Sequence, residues 1–207
     1  MNRGRDAVRI IQSSIDIKQW IEAPPSSDEV RPARDPVCGV ASRPAGGALR
    51  IYGHGRRRRM CQGPRAPGER PVGLSVLCRR YQCQACGALL LVVPCGVARR
   101  KHYALSAMAW AVALLGVAGW TYKAVRQAVS VWPLPNGDVV STWKSLRRWI
   151  ADIARGELFA GLPAGPAGAS ARQIAERAAM AIAGHAPPTG RGLPVPHLAF
   201  LGSVHMA

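Results

Sequence analysis

The feature that most restricts what this chain can fold into is Cys83-Gln84-Ala85-Cys86-Gly87, a Cys-x-x-Cys-Gly turn entered from the basic and aromatic stretch Arg79-Arg80-Tyr81. Two thiolates at that spacing grip one side of a zinc ion, and a tetrahedral structural site needs two more ligands. Upstream, Asp35-Pro36-Val37-Cys38-Gly39 has the same outline, with aspartate where the first cysteine would stand. The two turns together predict a zinc ribbon whose ligands are Asp35, Cys38, Cys83 and Cys86, degenerate at one of them. His54, Cys61, Cys78 and Cys95 compete for the fourth place. A redox pair is the rival reading of Cys83 and Cys86. It would sit between a strand and a helix, whereas here a β-type run, Ala88 to Val93, follows the turn.

Charge narrows the partner. The 207 residues carry 28 Lys plus Arg against 11 Asp plus Glu, a formal net charge of +17. Such a field favours polyanions, nucleic acid first and an anionic membrane surface second. Glu69 is the only acidic residue between Arg43 and Lys101, so Arg56, Arg57, Arg58 and Arg59, with Arg79 and Arg80, meet almost no internal counter-charge. That imbalance points to phosphate contact, against the plainer readings of a solvated charge run or a sorting signal. Apolar positions near the start are interrupted by Arg3, Arg5, Asp6, Arg9, Asp16 and Lys18, unlike a secretory leader. A cytoplasmic location is expected, with metal binding favoured over disulfides.

Along the chain, Val8, Ile11, Ile15 and Ile17 fall near helical spacing and predict a short amphipathic helix within 7–22, followed by a linker through Pro24-Pro25 to the first knuckle. Leu49 to Tyr52 reads as a strand turning at Gly53-His54-Gly55 into the arginines, and Val72 to Tyr81 as a second strand. Arg99-Arg100-Lys101 then leads into Tyr103 to Tyr122, a run without a charged side chain. Its length alone allows a membrane span. Its alanines, Ser106, Gly116 and Gly119 favour instead a buried helix from Leu105 to Leu115 and an interhelical turn. Thr121 caps a second helix, Tyr122 to Ser130. Pro133, Pro135, Asn136 and Gly137 end it, and Ser141 or Thr142 caps a third, Trp143 to Ile153, with Lys144, Arg147 and Arg148 around its polar sides. A basic third helix is the pattern of a helix-turn-helix, and equally of a plain amphipathic helix with a solvated face.

The expected architecture is α+β. An N-terminal helix and linker occupy 1–34, a zinc ribbon 35–98, a three-helix unit 99–157, and a linker, one helix from Ala171 to Ala183 and a Pro-rich tail 158–207. Asp138, Asp152, Glu157 and Glu176 are too scattered for a catalytic set, and no phosphate loop or nucleophile elbow is present, so binding is expected rather than catalysis.

The residues Asp35 to Gly39, Arg79 to Gly87, Arg99 to Tyr103 and Trp143 to Trp149 resemble, in order and spacing, the N-terminal DNA-binding part of bacterial transposases and of stand-alone proteins related to them. The resemblance covers about residues 35 to 155 and departs from the family pattern at Asp35. It implies a ribbon and helical unit that recognise the ends of a mobile element. It also implies DNA as partner, a separate transposase catalytic subunit as a second one, and Arg99, Arg100 and Lys101 among the DNA contacts. A transposase would continue into a ribonuclease H type domain with three metal-binding carboxylates, and the residues beyond 156 do not read as one. The expected function is therefore a DNA-binding accessory or remnant of a mobile element. Its rival is a membrane-associated basic protein inserted through 103–122.

Overall fold

A computed structural model describes residues 8–132, 143–159, 161–163 and 165–206. The described residues form an α+β chain with one four-stranded mixed sheet and six α-helices. It divides into two compact units: Met1–Met60 with Ser75–Arg99, and Cys61–Leu74 with Arg100–Ala207. Pro133 to Gly137, Asp138 and the expected caps Ser141 and Thr142 lie outside the described residues, as do Arg3, Arg5 and Asp6.

The first unit contains β1 (Arg9–Asp16) and α1 (Ile17–Glu22), with most of β2 (Ile51–Gly63) and β3 (Val72–Cys83) and all of β4 (Leu89–Cys95). The strand order is β1-β4-β3-β2. Central β4 is the apolar run Leu-Leu-Leu-Val-Val-Pro-Cys, buried from Leu90 to Pro94 as a strand flanked on both sides must be. It pairs antiparallel with β3, Tyr81 opposite Leu90, and parallel with β1, Ile11 opposite Val92. Pro94 donates no ladder hydrogen bond, and the β1 register shifts beside it, between Gln12 and Asp16.

Here the helix expected within 7–22 is corrected: residues 9–16 are a strand. Ile10, Ile11 and Ile15 are β-branched, and pairing with β4, some eighty residues on, outweighs a weak helical spacing. The helix that does form is shorter. Asp16 caps it by accepting from Lys18 N at 2.8 Å and Gln19 N at 3.0 Å. Its Trp20 is buried and donates from Nε1 to Leu77 O at 3.2 Å.

The stretch after α1, expected as a linker, has no regular structure from Ala23 to Pro32 but is tied to β3. Arg79 donates from Nε to Pro25 O at 2.9 Å, Tyr81 donates its hydroxyl to Ser27 O at 2.6 Å, and Arg31 lies over the Tyr81 ring at 5.6 Å. The turn expected at Gly53-His54-Gly55 is likewise absent. Instead β2 runs through the arginines to Gly63, with Gly55 at a φ of 80° inside the strand. β2 is an edge strand, where long charged side chains are accommodated readily.

The second unit is organised around α2 (Leu105–Gly116), whose residues from Ala107 to Leu115 are all buried. α3 (Tyr122–Val129), α4 (Lys144–Ala154), α5 (Ala171–Ala183) and α6 (Val195–Gly202) all pack on it, and α4 and α6 also pack on α5. Thr121 caps α3 by accepting from Ala124 N at 3.2 Å, as its position suggested. The Pro-rich tail is a correction: it holds α6, whose first turn accepts Pro196, followed by a one-turn 3-10 helix, Ser203–Met206. Tyr103 to Tyr122 is no single helix, since α2 ends at Gly116 and α3 begins at Tyr122. Among the described residues no helix is long and apolar enough to cross a membrane.

Alanines and glycines let these helices approach closely. A Cβ added to Gly116 would overlap Glu176 N and lie 2.7 Å from Ala175 C, both in the α5 backbone. Gly116→Ala is therefore expected to destabilise the protein by about 1–3 kcal/mol. Gly73→Ala, whose Cβ would meet Val131 Cγ2 at an ordinary 3.8 Å, should leave stability nearly unchanged. Denaturant melts of both variants check this.

Candidate metal centre

The two turns singled out in the sequence are built alike. In each, a glycine N–H closes onto the carbonyl of the first residue, Gly39 N to Asp35 O and Gly87 N to Cys83 O, both at 2.9 Å. The first residue donates its own N–H five positions on, Asp35 N to Val40 O and Cys83 N to Ala88 O, both at 3.0 Å. Gly39 and Gly87 share a φ of 73°, in the left-handed region that a Cβ disfavours.

The correspondence extends to the side chains. The Cys83 sulfur accepts from the backbone N–H groups of Ala85 and Cys86. Asp35 Oδ1 accepts from those of Val37 at 2.6 Å and Cys38 at 3.2 Å. An aspartate thus reproduces the thiolate's turn with one oxygen and keeps the other free of it. Oδ2 faces the Cys86 thiol at 3.4 Å, and the Cys38 and Cys83 sulfurs are 3.7 Å apart.

One ligand atom from each of Asp35, Cys38, Cys83 and Cys86 can be chosen so that all lie within 4.8 Å of one another, and the set could hold a metal ion. The knuckle Cys83–Gly87 links β3 to β4, so strand pairing fixes two ligands. The other knuckle is framed by the bridge between Arg34 and Ala41. Of the competing ligands, His54 is exposed on β2, Cys61 and Cys78 are buried, and Cys95 is half-buried at the end of β4; none joins the cluster. Burial lifts the Cys78 thiol to about 11, partly offset by Arg59.

The electrostatics of the cluster are compatible with a bound cation. Asp35 is only 1% exposed, and among the described residues no Lys or Arg pairs with it. Burial opposes its ionisation, yet hydrogen bonds from Cys83, Val37, Cys38 and Cys86 prevail and hold its carboxyl below the ordinary value. The same contacts act oppositely on the thiols. Burial first, then the Asp35 hydrogen bond, pushes Cys83 up to about 12, and burial likewise raises Cys86. A buried carboxylate facing protonated thiols has its natural counter-charge in a divalent cation that displaces their protons.

The basic residues fall into different settings. Arg56, Arg57 and Arg58 are exposed on β2 and make no ion pair among the described residues. Arg59 is half-buried against Ala98 O, Arg80 is half-buried, and Arg79 is committed to Pro25 O. In the second unit Arg100, Lys144, Arg147 and Arg148 are exposed, whereas Lys101 is ion-paired with Asp152; Arg99, in the first, is exposed. Arg79 and Lys101 thus have structural partners that their sequence context did not reveal. Comparison of the chain with protein-family models, curated proteins and solved structures finds no match.

Because the thiols are protonated in the metal-free fold while Asp35 is ionised at neutral pH, loading a divalent ion should release protons from Cys83 and Cys86 and none from Asp35. Metal affinity should then rise by about two or more log units per pH unit near neutrality. Calorimetry in buffers of different ionisation enthalpy counts the protons, and a pH-independent affinity would contradict the assignment. Without metal, the contribution of Asp35 is present above its ordinary value of 3.8 and is lost as pH falls through its lower folded value. That of Cys83 is present below the thiol's ordinary 9.0 and is lost as pH rises toward about 12.

Proposed function

We propose that this is a nucleic-acid-binding protein, with DNA as its ligand, whose first unit is held by a structural zinc ion on Asp35, Cys38, Cys83 and Cys86. The observation that carries the binding reading is the run Arg56, Arg57 and Arg58, three consecutive exposed guanidinium groups that make no ion pair among the described residues. Displacing counterions from phosphates is the use such charges are suited to. Arg99, Arg100, Lys144, Arg147 and Arg148 extend the exposed basic set. Arg59, Arg79, Arg80 and Lys101, with internal contacts or partial burial, contribute less.

Zinc is favoured by the spacing of the ligand atoms. Zinc–sulfur bonds of about 2.3 Å place the corners of a tetrahedron about 3.8 Å apart. The 3.7 Å between the Cys38 and Cys83 sulfurs and the 3.4 Å from Cys86 Sγ to Asp35 Oδ2 suit a single ion of that kind. With four protein ligands no position is left open, as in a structural site rather than a catalytic one. The narrower reading, a transposase-related accessory protein with a helix-turn-helix ending in α4, rests on the motif resemblance and on the exposed Lys144, Arg147 and Arg148.

For the metal, zinc content and melting separate the ligands. Asp35→Cys should bind zinc more tightly, since borderline-soft zinc gains more from sulfur, and should melt higher with zinc but not under chelation. Cys83→Ser should lose metal and fold. If Asp35→Cys changes neither quantity while Cys61→Ser removes the metal, the ligand set is wrong.

For the function, log affinity for DNA should fall linearly with log salt. Changing Arg56 and Arg58 to Ala should flatten that slope by about two units on every sequence, whereas a recognition role for α4 predicts that Lys144, Arg147 and Arg148 to Ala removes sequence preference. A salt-independent affinity would overturn the reading.

A further inference from the structure

The segment of β2 that carries the arginines also carries two rings. From Tyr52 to Arg58, all seven residues Tyr-Gly-His-Gly-Arg-Arg-Arg are exposed, an uninterrupted run on a strand. β2 is the last strand in the order β1-β4-β3-β2, so among the described residues no strand lies along one of its backbone edges. Tyr52 is 42% exposed. Neither Tyr52 nor His54 makes a side-chain hydrogen bond or ring contact among the described residues. The residues between the rings and the arginines are glycines. At Gly55 the left-handed φ of 80° excludes most side chains, and a Cβ would have nothing within 4 Å. The strand thus presents two aromatic rings, no side chain between them, and three unpaired cations in direct succession.

We infer that this exposed segment of β2 binds single-stranded nucleic acid, with Tyr52 and His54 stacking on unpaired bases and the arginines at 56 to 58 taking the neighbouring phosphates. The inference rests on the nucleic-acid reading above and names the form of ligand. A duplex offers a protein the edges of its bases in the grooves while their faces are covered by stacking. Exposed rings beside a phosphate-binding run are matched instead by an unpaired strand, whose bases have free faces and whose backbone runs alongside a positive groove or ridge. At about 3.3 Å per residue, Tyr52 to Arg58 spans about 20 Å, at the short end of what single-strand platforms cover. Stacking tolerates any base, so little sequence preference is expected from this segment.

The test uses the zinc-loaded full chain and three labelled probes of equal length at one salt concentration: an oligothymidine strand, a strand made of abasic sites, and a duplex. Wild type should bind oligothymidine on the order of tenfold more tightly than the abasic strand, because only the former offers rings to stack on. Tyr52→Ala should lose about that factor on oligothymidine and change little on the abasic strand or the duplex, while Tyr52→Phe, which keeps the ring, should resemble wild type. Equal wild-type affinity for oligothymidine and abasic strands overturns the inference without any variant. So does a Tyr52→Ala loss of the same size on all three probes. Both results leave phosphate binding standing. Failure to bind any of the three overturns the nucleic-acid reading itself.

Discussion

The first unit depends on the meeting of two equivalent turns. One knuckle is the hairpin end between β3 and β4, so its position is set by the register that places Tyr81 opposite Leu90. The other belongs to a segment with little pairing of its own beyond the bridge between Arg34 and Ala41. Without a cation the buried Asp35 carboxylate relies on hydrogen bonds from Cys83, Val37, Cys38 and Cys86. Under the proposed metal reading, a divalent ion would add to the hydrogen bond from Arg50 N to Ser42 O in tying residues 35–41 to the sheet. Side chains assist: the Arg79 guanidinium at Pro25 O and the Tyr81 hydroxyl at Ser27 O tie the approach to the same strand.

The substitution at Asp35 follows a simple physical logic. A knuckle needs its first residue to accept hydrogen bonds from the N–H groups two and three positions on, and aspartate does this even in peptides, as an Asx turn. Oδ1 meets that local requirement and Oδ2 remains for the ion. A serine or alanine there would lack one function or both. The turn is therefore specified by sequence whether or not metal is bound, whereas the convergence of the two turns is where a bound metal would enter the folding free energy.

What could be read from the sequence was what is local. Both knuckles, β3, β4, α2, α3 and α5 are set by spacing, apolar runs, a capping threonine or glycine punctuation within a few residues. β1 was misread because its strand character is conferred by a parallel partner far along the chain, and Ile11 and Ile15 fit a helix nearly as well. β2 was cut short because Gly53 and Gly55 signal a turn in isolation, although an edge strand can absorb a left-handed glycine and continue. α6 was hidden by Pro194 and Pro196, which usually mark a tail but also suit the first turn of a helix. The exposed basic residues were found by charge alone. Charge could not reveal that Arg79 and Lys101 are held internally, because Pro25 and Asp152 lie more than fifty residues away from them.

The central claim is that one zinc ion sits between three sulfurs and one carboxylate oxygen. X-ray absorption at the zinc edge of the loaded full chain measures that shell directly. Three sulfur neighbours at about 2.3 Å and one oxygen at about 2.0 Å are expected. The oxygen should be replaced by a fourth sulfur in Asp35→Cys. A shell of four sulfurs in the wild type, or one containing imidazole nitrogen, would contradict it.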